Sequence, residues 1–352
     1  MKRLKRVICN AFLGKKRKTK FNAENIKKIL ILRNDKVGDM IVSTPLLREL
    51  KNSYPEMRID VAASSINADV VKECPHVGKI IIWDKKSTLN VIRAIWAIRR
   101  EQYDVIFSTS NIFSFPYLMR IKLLQAKYLI GFNIEKYGTN TKHLGMYDYT
   151  VDCVRDRHIL ENYFSAFAHF KLKAIDYRYE LFGVEAQAAK SKAFFMKLKK
   201  TYKGFVCFNY QGSSVARTIG KEDARRLCAE IADKYDDYAL IVIYPPGASA
   251  QAAAVVKAID RKNVLLAFGT DNILELASLI KECDVVISPD TAVIHVASVY
   301  NKKILGFYIN TDNYKWFYPR CDHFKIMLSK KEQLRDIDTE ATLKAFDELM
   351  AA

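Results

Sequence analysis

The chain has 352 residues, which at roughly 150 residues per domain suggests two domains. Half of it is hydrophobic and 27% charged, so it buries real cores and is not disordered, while no run approaches the roughly 18–20 apolar residues that cross a bilayer. Lys plus Arg number 57 against 39 Asp plus Glu, a net charge of +18, and residues 1–28 alone carry +10.

That basic start has a pattern. Leu4, Val7, Ile8, Ala11 and Phe12 fall on one face of a helix, Gly14 ends the pattern, and Lys15, Lys16, Arg17, Lys18 and Lys20 follow. An apolar face flanked by cations suits an anionic membrane surface, so residues 2–20 are expected to lie on one; a solvated tail is the alternative. No nucleic-acid-binding module follows, and nucleic acid is not an expected partner. The stretch lacks a small-residue cleavage site and does not read as a signal peptide. The seven cysteines are scattered without a C-x-x-C pair, which points to reduced, mostly buried thiols.

From residue 26 short β-branched runs alternate with helical patterns. Strands are expected at 26–33, 57–64, 79–83, 103–110 and 127–132, with helices at 40–53 and 88–101. A second set has strands at 204–210, 238–244, 263–268, 284–288 and 302–308, separated by helices at 221–235, 248–260, 271–283 and 292–300. Near-continuous apolar strands alternating with helices mean parallel sheets covered on both faces. The expected division is a basic segment 1–25, a first Rossmann-like domain 26–180 and a second 181–352. Ligands belong at the carboxyl ends of such strands.

Familiar nucleotide motifs are missing: there is no G-x-G-x-x-G and no P-loop. The one D-x-D pair, Asp336 and Asp338, lies in a charged tail and reads as solvated surface, so no metal ligand is assigned. Three strand-to-loop junctions carry the chemistry instead. In ILILRNDKVGDMIVSTP (29–45) a buried strand gives way to a polar loop, and Asp39 opens the next helix as either a helix cap or a reactive carboxylate. In FNYQGSSVARTIGKED (208–223), Ser213, Ser214 and Arg217 precede a helix, an arrangement able to cradle phosphate. In VVISPDTAVIHVAS (285–298), Asp290 and Thr291 follow a core strand, and His295 lies one helical turn on, as a ligand contact or a buried structural histidine.

Together these junctions resemble glycosyltransferase family 9, the ADP-heptose:lipopolysaccharide heptosyltransferases. The resemblance runs from Arg33-Asn34-Asp35-Lys36-Val37-Gly38-Asp39 and Thr44-Pro45 through SYPEMRIDVAAS (53–64), CPHVGKIIIWD (74–84), YDVIFSTSN (103–111), KYLIGF (127–132) and His158…Glu161. It ends on Gly269-Thr270 with ILELASLIKECDVVISPDTAVIH (273–295), and spans about residues 26–310.

The resemblance implies an α/β fold of GT-B architecture, two doubly wound domains facing a central cleft. It implies inverting, metal-independent and cofactor-free transfer of heptose from ADP-L-glycero-D-manno-heptose to a hydroxyl of the lipopolysaccharide inner core. The protein would work at the cytoplasmic face of a bacterial inner membrane. Asp39 would be the general base, with Arg33, Asp35, Lys36 and Gly38 forming the acceptor-side loop. Ser213, Ser214, Arg217, Thr218, Gly247, Gln251, Asp290, Thr291, Ala292 and His295 would bind the donor. Three departures stand out: Arg217-Thr218-Ile219 where the family commonly has Lys and then Trp two residues on, Ala292 where it has Gly, and Gln251 near the place of an acid that holds ribose. They leave open another nucleotide sugar, or a catalytically weak relative that binds membrane or polyanion.

Overall fold

The computed structural model describes residues 21–352 except 85–86, 111–113, 134, 137–138, 141–144, 155, 310–311, 330 and 336. The basic segment 2–20 and Asp336 therefore lie outside the described residues. The chain divides into two compact units between Tyr177 and Arg178.

The first unit runs β1 (Lys28–Arg33), α1 (Val37–Ser53), β2 (Arg58–Ala63), β3 (Lys79–Ile82), α2 (Thr88–Glu101), β4 (Val105–Ser108), α3 (Phe115–Lys122) and β5 (Tyr128–Asn133). A small antiparallel pair, β6 (Glu135–Lys136) and β7 (Thr139–Asn140), then leads to β8 (Tyr149–Asp152) and α4 (Ile159–Ala166). Its main sheet has the order β3-β2-β1-β4-β5-β8, and every pairing in it is parallel. Ile29, Leu30, Ile31 and Leu32 of β1 are all buried, because helices cover both faces of a central parallel strand. Burying each such side chain contributes about 1.5–3 kcal/mol, which is what holds a six-residue strand in the middle of the sheet.

The helix α1 is buried along most of its length and contains Pro45, which cannot donate to the carbonyl of Ile41. The neighbouring Thr44 hydroxyl donates to that carbonyl at 2.8 Å instead. The Thr-Pro pair thus keeps the helix intact just past the turn that carries Asp39.

The second unit runs α5 (Ala189–Leu198), β9 (Gly204–Phe208), α6 (Lys221–Lys234), β10 (Tyr238–Val242), α7 (Ser249–Ile259), β11 (Val264–Leu266), α8 (Ile273–Lys281), β12 (Val285–Pro289), α9 (Ala292–Val299), β13 (Lys303–Ile309), β14 (Phe324–Ser329) and α10 (Thr339–Ala351). The sheet order is β11-β10-β9-β12-β13-β14, again wholly parallel. Val206, Phe208, Leu240, Val242, Val285 and Ile287 of its strands form a core with Leu227 and Ile231 of α6 and Phe346 and Leu349 of α10. Asp338, the second member of the D-x-D pair, caps α10 by accepting from the Ala341 amide at 3.0 Å. The six described cysteines are free thiols, and Cys74, Cys207, Cys228 and Cys283 are buried.

All ten expected strands form. Beyond them the structure has the edge strands β8 and β14 and the β6–β7 pair, which the apolar pattern does not predict. The reason is burial. Tyr149–Asp152 and Phe324–Ser329 are mostly half-exposed and carry polar residues, so they lack the continuous apolar run of a central strand, whereas the other edge strands, β3 and β11, keep apolar runs.

Candidate active site

Each sheet reverses its winding direction once, between β1 and β4 in the first unit and between β9 and β12 in the second. The loops that leave the carboxyl ends of such strands diverge and open a crevice. Most of the singled-out residues lie at these two points.

In the first unit Arg33 closes β1 and is the hub. Its guanidinium is buried. Nε donates to the Asp39 carbonyl at 2.9 Å, and Nη1 donates to Asp35 Oδ2 at 3.1 Å and Thr109 Oγ1 at 3.0 Å. Nη2 donates to the Tyr163 hydroxyl and lies 3.8 Å from Asp39 Oδ1. Burial works against the charged guanidinium, but Asp35, Tyr163 and Asp39 outweigh it, so the cation is held more firmly than in water. Burial raises the Tyr163 phenol, which stays a neutral partner even beside Arg33.

Asp39 occupies the third position of α1, after Val37 and Gly38, and Lys36 stands at the helix start without a side-chain cap bond. Among the described residues the Asp39 carboxylate accepts no hydrogen bond. It is therefore not a helix cap, and its side chain keeps 19% exposure beside the Arg33 cation. Lys36 is exposed and Gly38 is buried. Two asparagines fasten the loop. Asn67, fully buried, donates to the Arg33 carbonyl at 2.8 Å and the Lys36 carbonyl at 3.4 Å, and its own oxygen accepts from the Ser64 amide at 2.8 Å. Asn34 donates to the Trp83 carbonyl at 3.0 Å.

In the second unit, Arg217 Nη1 lies 2.9 Å from Asp290 Oδ2, an ion pair between the loop after β9 and the loop after β12. Beneath it, Asn209 Nδ2 donates to Ser288 Oγ at 2.9 Å and Thr291 Oγ1 at 3.4 Å. Thr291 also caps α9 by accepting from the Val293 amide at 3.3 Å, and Ala292 is the first residue of that helix. The Thr218 hydroxyl accepts from the Gly212 amide at 3.1 Å and donates to the Ser214 carbonyl at 2.9 Å, cinching the loop that exposes Ser213 and Ser214. Gly212 is required there, since a Cβ would stand 2.1 Å from the Arg217 carbonyl oxygen.

The remaining donor-side residues differ in setting. Gly247 has φ +84°, and the Ala248 amide donates to the Pro245 carbonyl at 3.1 Å, so Pro246-Gly247 form the centre of a tight turn that needs glycine. Gln251 is exposed in the first turn of α7. His295 is buried in α9 with its ring edge-on to Tyr179 and Phe317, at centroid distances of 6.0 and 6.1 Å. Among the described residues, no three His, Cys, Asp or Glu side chains gather as metal ligands do.

Residues 91–346 match the family model described as glycosyltransferase family 9 (heptosyltransferase). The chain belongs to that family. This family 9 glycosyltransferase is 23% identical over 297 residues to the lipopolysaccharide core heptosyltransferase OpsX of Haemophilus influenzae, covering 80% of this chain and 79% of that one. Its fold is that of solved GT-B glycosyltransferases. A family 9 structure from Veillonella parvula superposes with a TM-score of 0.75 at 16% identity, covering 92% of this chain and 97% of that one. The Escherichia coli ADP-heptose lipopolysaccharide heptosyltransferase II superposes with a TM-score of 0.71 at 17% identity, covering 92% and 98%.

Within this family 9 chain the structure brings Arg33, Asp35 and Asp39 together in one unit, and Arg217, Asp290 and Thr291 together in the other. Gln251 is exposed on α7, and His295 packs against Tyr179 and Phe317. Sequence reasoning missed Asn67, Thr109 and Tyr163 in the first unit and Asn209 and Ser288 in the second. Asn67, Thr109 and Asn209 lie just past the carboxyl ends of β2, β4 and β9, where a buried polar residue is itself a signal. Tyr163 sits mid-helix, far in sequence from Arg33, and offers none.

Proposed function

We propose that this chain transfers heptose from ADP-L-glycero-D-manno-heptose to a hydroxyl of the lipopolysaccharide inner core, with inversion and without a metal ion. The observation that carries this reading is Asp39, a partly exposed carboxylate with no hydrogen bond among the described residues, fixed beside Arg33 at the switch point of the first sheet. The names of the relatives support the donor and the acceptor. Asp39 takes the proton of the acceptor hydroxyl as its oxygen forms a bond to the anomeric carbon. The bond from that carbon to the β-phosphate oxygen breaks on the opposite face, and ADP leaves with the electron pair.

The first unit binds the acceptor on the loop of Arg33, Asp35, Lys36 and Gly38. The second binds the donor through Ser213, Ser214, Arg217, Gly247 and the start of α9. Arg217, held by Asp290, supplies the cation for the leaving diphosphate, and exposed loop hydroxyls supply further donors. Thr218 shapes that loop, and His295 is assigned to the donor side with it. The arm of residues 2–20, with nine basic side chains, holds the enzyme to the cytoplasmic face of the inner membrane, where its anionic acceptor is anchored. Among the described residues no helix is long and apolar enough to cross a membrane.

Transfer measured as ADP release across a panel of truncated cores tests the reading. Turnover with ADP-heptose on one truncation, unchanged by EDTA, is expected. Release of a different nucleoside diphosphate would replace the donor assignment, and a strict need for a divalent ion would overturn the metal-free step. A different nucleotide sugar is the second reading. Gln251 favours it, since an exposed amide at the start of α7 brings no carboxylate to a ribose.

A further inference from the structure

The helix α2 is apolar on two sides. Val91, Ala94 and Ile98 are buried beneath it against the first unit. On the opposite side Leu89, Ile92 and Trp96 follow the spacing i, i+3, i+7 and remain 57%, 47% and 64% exposed. An amphipathic helix needs only the inner stripe to fold. The outer one covers nothing in its own unit, and contiguous exposed apolar surface marks an interaction site.

The surrounding charges select the occupant. Arg93, Arg99 and Arg100 are exposed on the same outer side, with the Arg99 guanidinium 5.9 Å from the Trp96 ring centroid. The helix has a single acid, Glu101, and it is engaged by Lys79 at 2.7 Å, Arg58 at 3.2 Å and Lys28 at 3.7 Å. The outer face thus carries three cations, no anion, two aliphatic side chains and a tryptophan. A second copy of the same face would set arginines against arginines with no acid to answer them. A bilayer interface answers every part: headgroup phosphates for the arginines, the headgroup boundary for the indole, and the upper acyl region for Leu89 and Ile92.

We propose that the outer face of α2 docks on an anionic lipid surface, with Trp96 at headgroup depth. This contact is separate from the basic arm and does not rest on the roles given to Asp39 or Arg217. It would hold the first unit flat against the membrane rather than merely tether the chain.

The test uses the full chain with phosphatidylglycerol/phosphatidylethanolamine vesicles, some carrying acyl chains brominated near the headgroup. The protein has three tryptophans, and Trp83 is fully buried. Vesicles should shift the emission to the blue, and the brominated lipid should quench it. Trp96→Phe should remove most of that quenching while vesicle binding stays within a few-fold. Replacing Leu89, Ile92 and Trp96 together by serine should weaken partitioning roughly 50- to 1,000-fold, the scale of three half-buried apolar side chains. Because all three are exposed, the triple variant should keep its thermal midpoint and its transfer to a soluble, delipidated acceptor. Two results would overturn the proposal. One is vesicle binding with no brominated-lipid quenching of Trp96, which leaves α2 in water while other residues bind. The other is a concentration-dependent dimer that the triple variant abolishes, which makes the face an interface between copies.

Discussion

Arg33 grips Asp39 from two directions, donating from Nε to its main-chain carbonyl at 2.9 Å while Nη2 lies 3.8 Å from its carboxylate. One buried side chain therefore fixes both the backbone turn that presents the acid and the charge facing it. The longer ion-pair distance matters. A carboxylate locked in a close bidentate pair would have its lone pairs occupied, whereas this one keeps an oxygen available for an incoming hydroxyl.

Asp39→Asn should keep the fold and donor binding and lose most turnover. The amide has nearly the same size and sits where no cap bond depends on the acid, so stability should change little. Removal of a general base commonly costs about 10²- to 10⁴-fold in rate. Steady-state transfer kinetics and ADP titration on the same preparation check both halves. Turnover within a few-fold of the parent protein would remove Asp39 from the chemistry.

Asn67→Ala should be costly although Asn67 touches no substrate in this reading. Its side chain serves the carbonyls of Arg33 and Lys36 and the amide of Ser64, all at one buried point. Orphaning buried polar groups costs about 1–3 kcal/mol each, so a loss of about 2–4 kcal/mol in denaturant unfolding is expected. Transfer by the folded fraction should also fall, since the loop that aims Asp39 is slackened.

The parts of this molecule legible in its sequence are those that burial imposes. Central parallel strands must be apolar on both faces, so β1, β9 and β12 stand out as runs; Asp290 stands directly beyond β12, and Asp39 lies in the first turn of the helix that follows β1. β8 and β14 interleave polar residues and leave no such run, although the other edge strands, β3 and β11, do. The site's supporting bonds are long-range: Arg33 meets Tyr163 130 positions later, and Asn209 meets Ser288 79 positions later. Neither partner has a local pattern that betrays the other. The D-x-D pair shows the converse, a motif whose second acid serves as an ordinary helix cap.

Arg217→Ala should weaken ADP binding by about 10- to 100-fold, matching a charge-assisted bond of about 1.5–3 kcal/mol. The ion pair at 2.9 Å adds a second expectation. The variant leaves Asp290 facing the diphosphate without its counter-charge, so the double variant with Asp290→Asn should bind ADP better than Arg217→Ala alone. Isothermal titration of the four proteins measures this coupling. Strict additivity would mean that the pair does not act as a unit on the nucleotide.

Gly212→Ala tests the loop itself. Its Cβ would meet the Arg217 carbonyl oxygen at 2.1 Å, and that oxygen belongs to backbone that cannot swing aside. The loop must open, which separates the Gly212 amide from the Thr218 hydroxyl and displaces Arg217. ADP affinity should fall at least as far as in Arg217→Ala, while the cores of both units stay folded by circular dichroism. Thr218→Val, which deletes the same hydroxyl bond without the clash, should show a smaller loss.

Acid stability separates from activity through Glu101. Lys79 bonds to its carboxylate, and Arg58 and Lys28 add their charge; together they outweigh burial, so its folded pKa lies below the usual 4.5. A carboxylate depressed on folding contributes stability that is fully present above about 4.5 and is lost as pH falls through the lower folded value. Glu101→Gln should therefore be less stable than the parent at pH 7, by about 0.5–1 kcal/mol for a largely exposed network. The difference should shrink below pH 4.5 and vanish in stronger acid, as read from urea midpoints across pH. Above that window Glu101 stays charged and its network intact. An acid limb in the transfer rate that sets in well above pH 4.5, equal in the parent and in Glu101→Gln, would then report a titrating group in the site. A limb that moves with the Glu101 substitution would report loosening of the first unit instead.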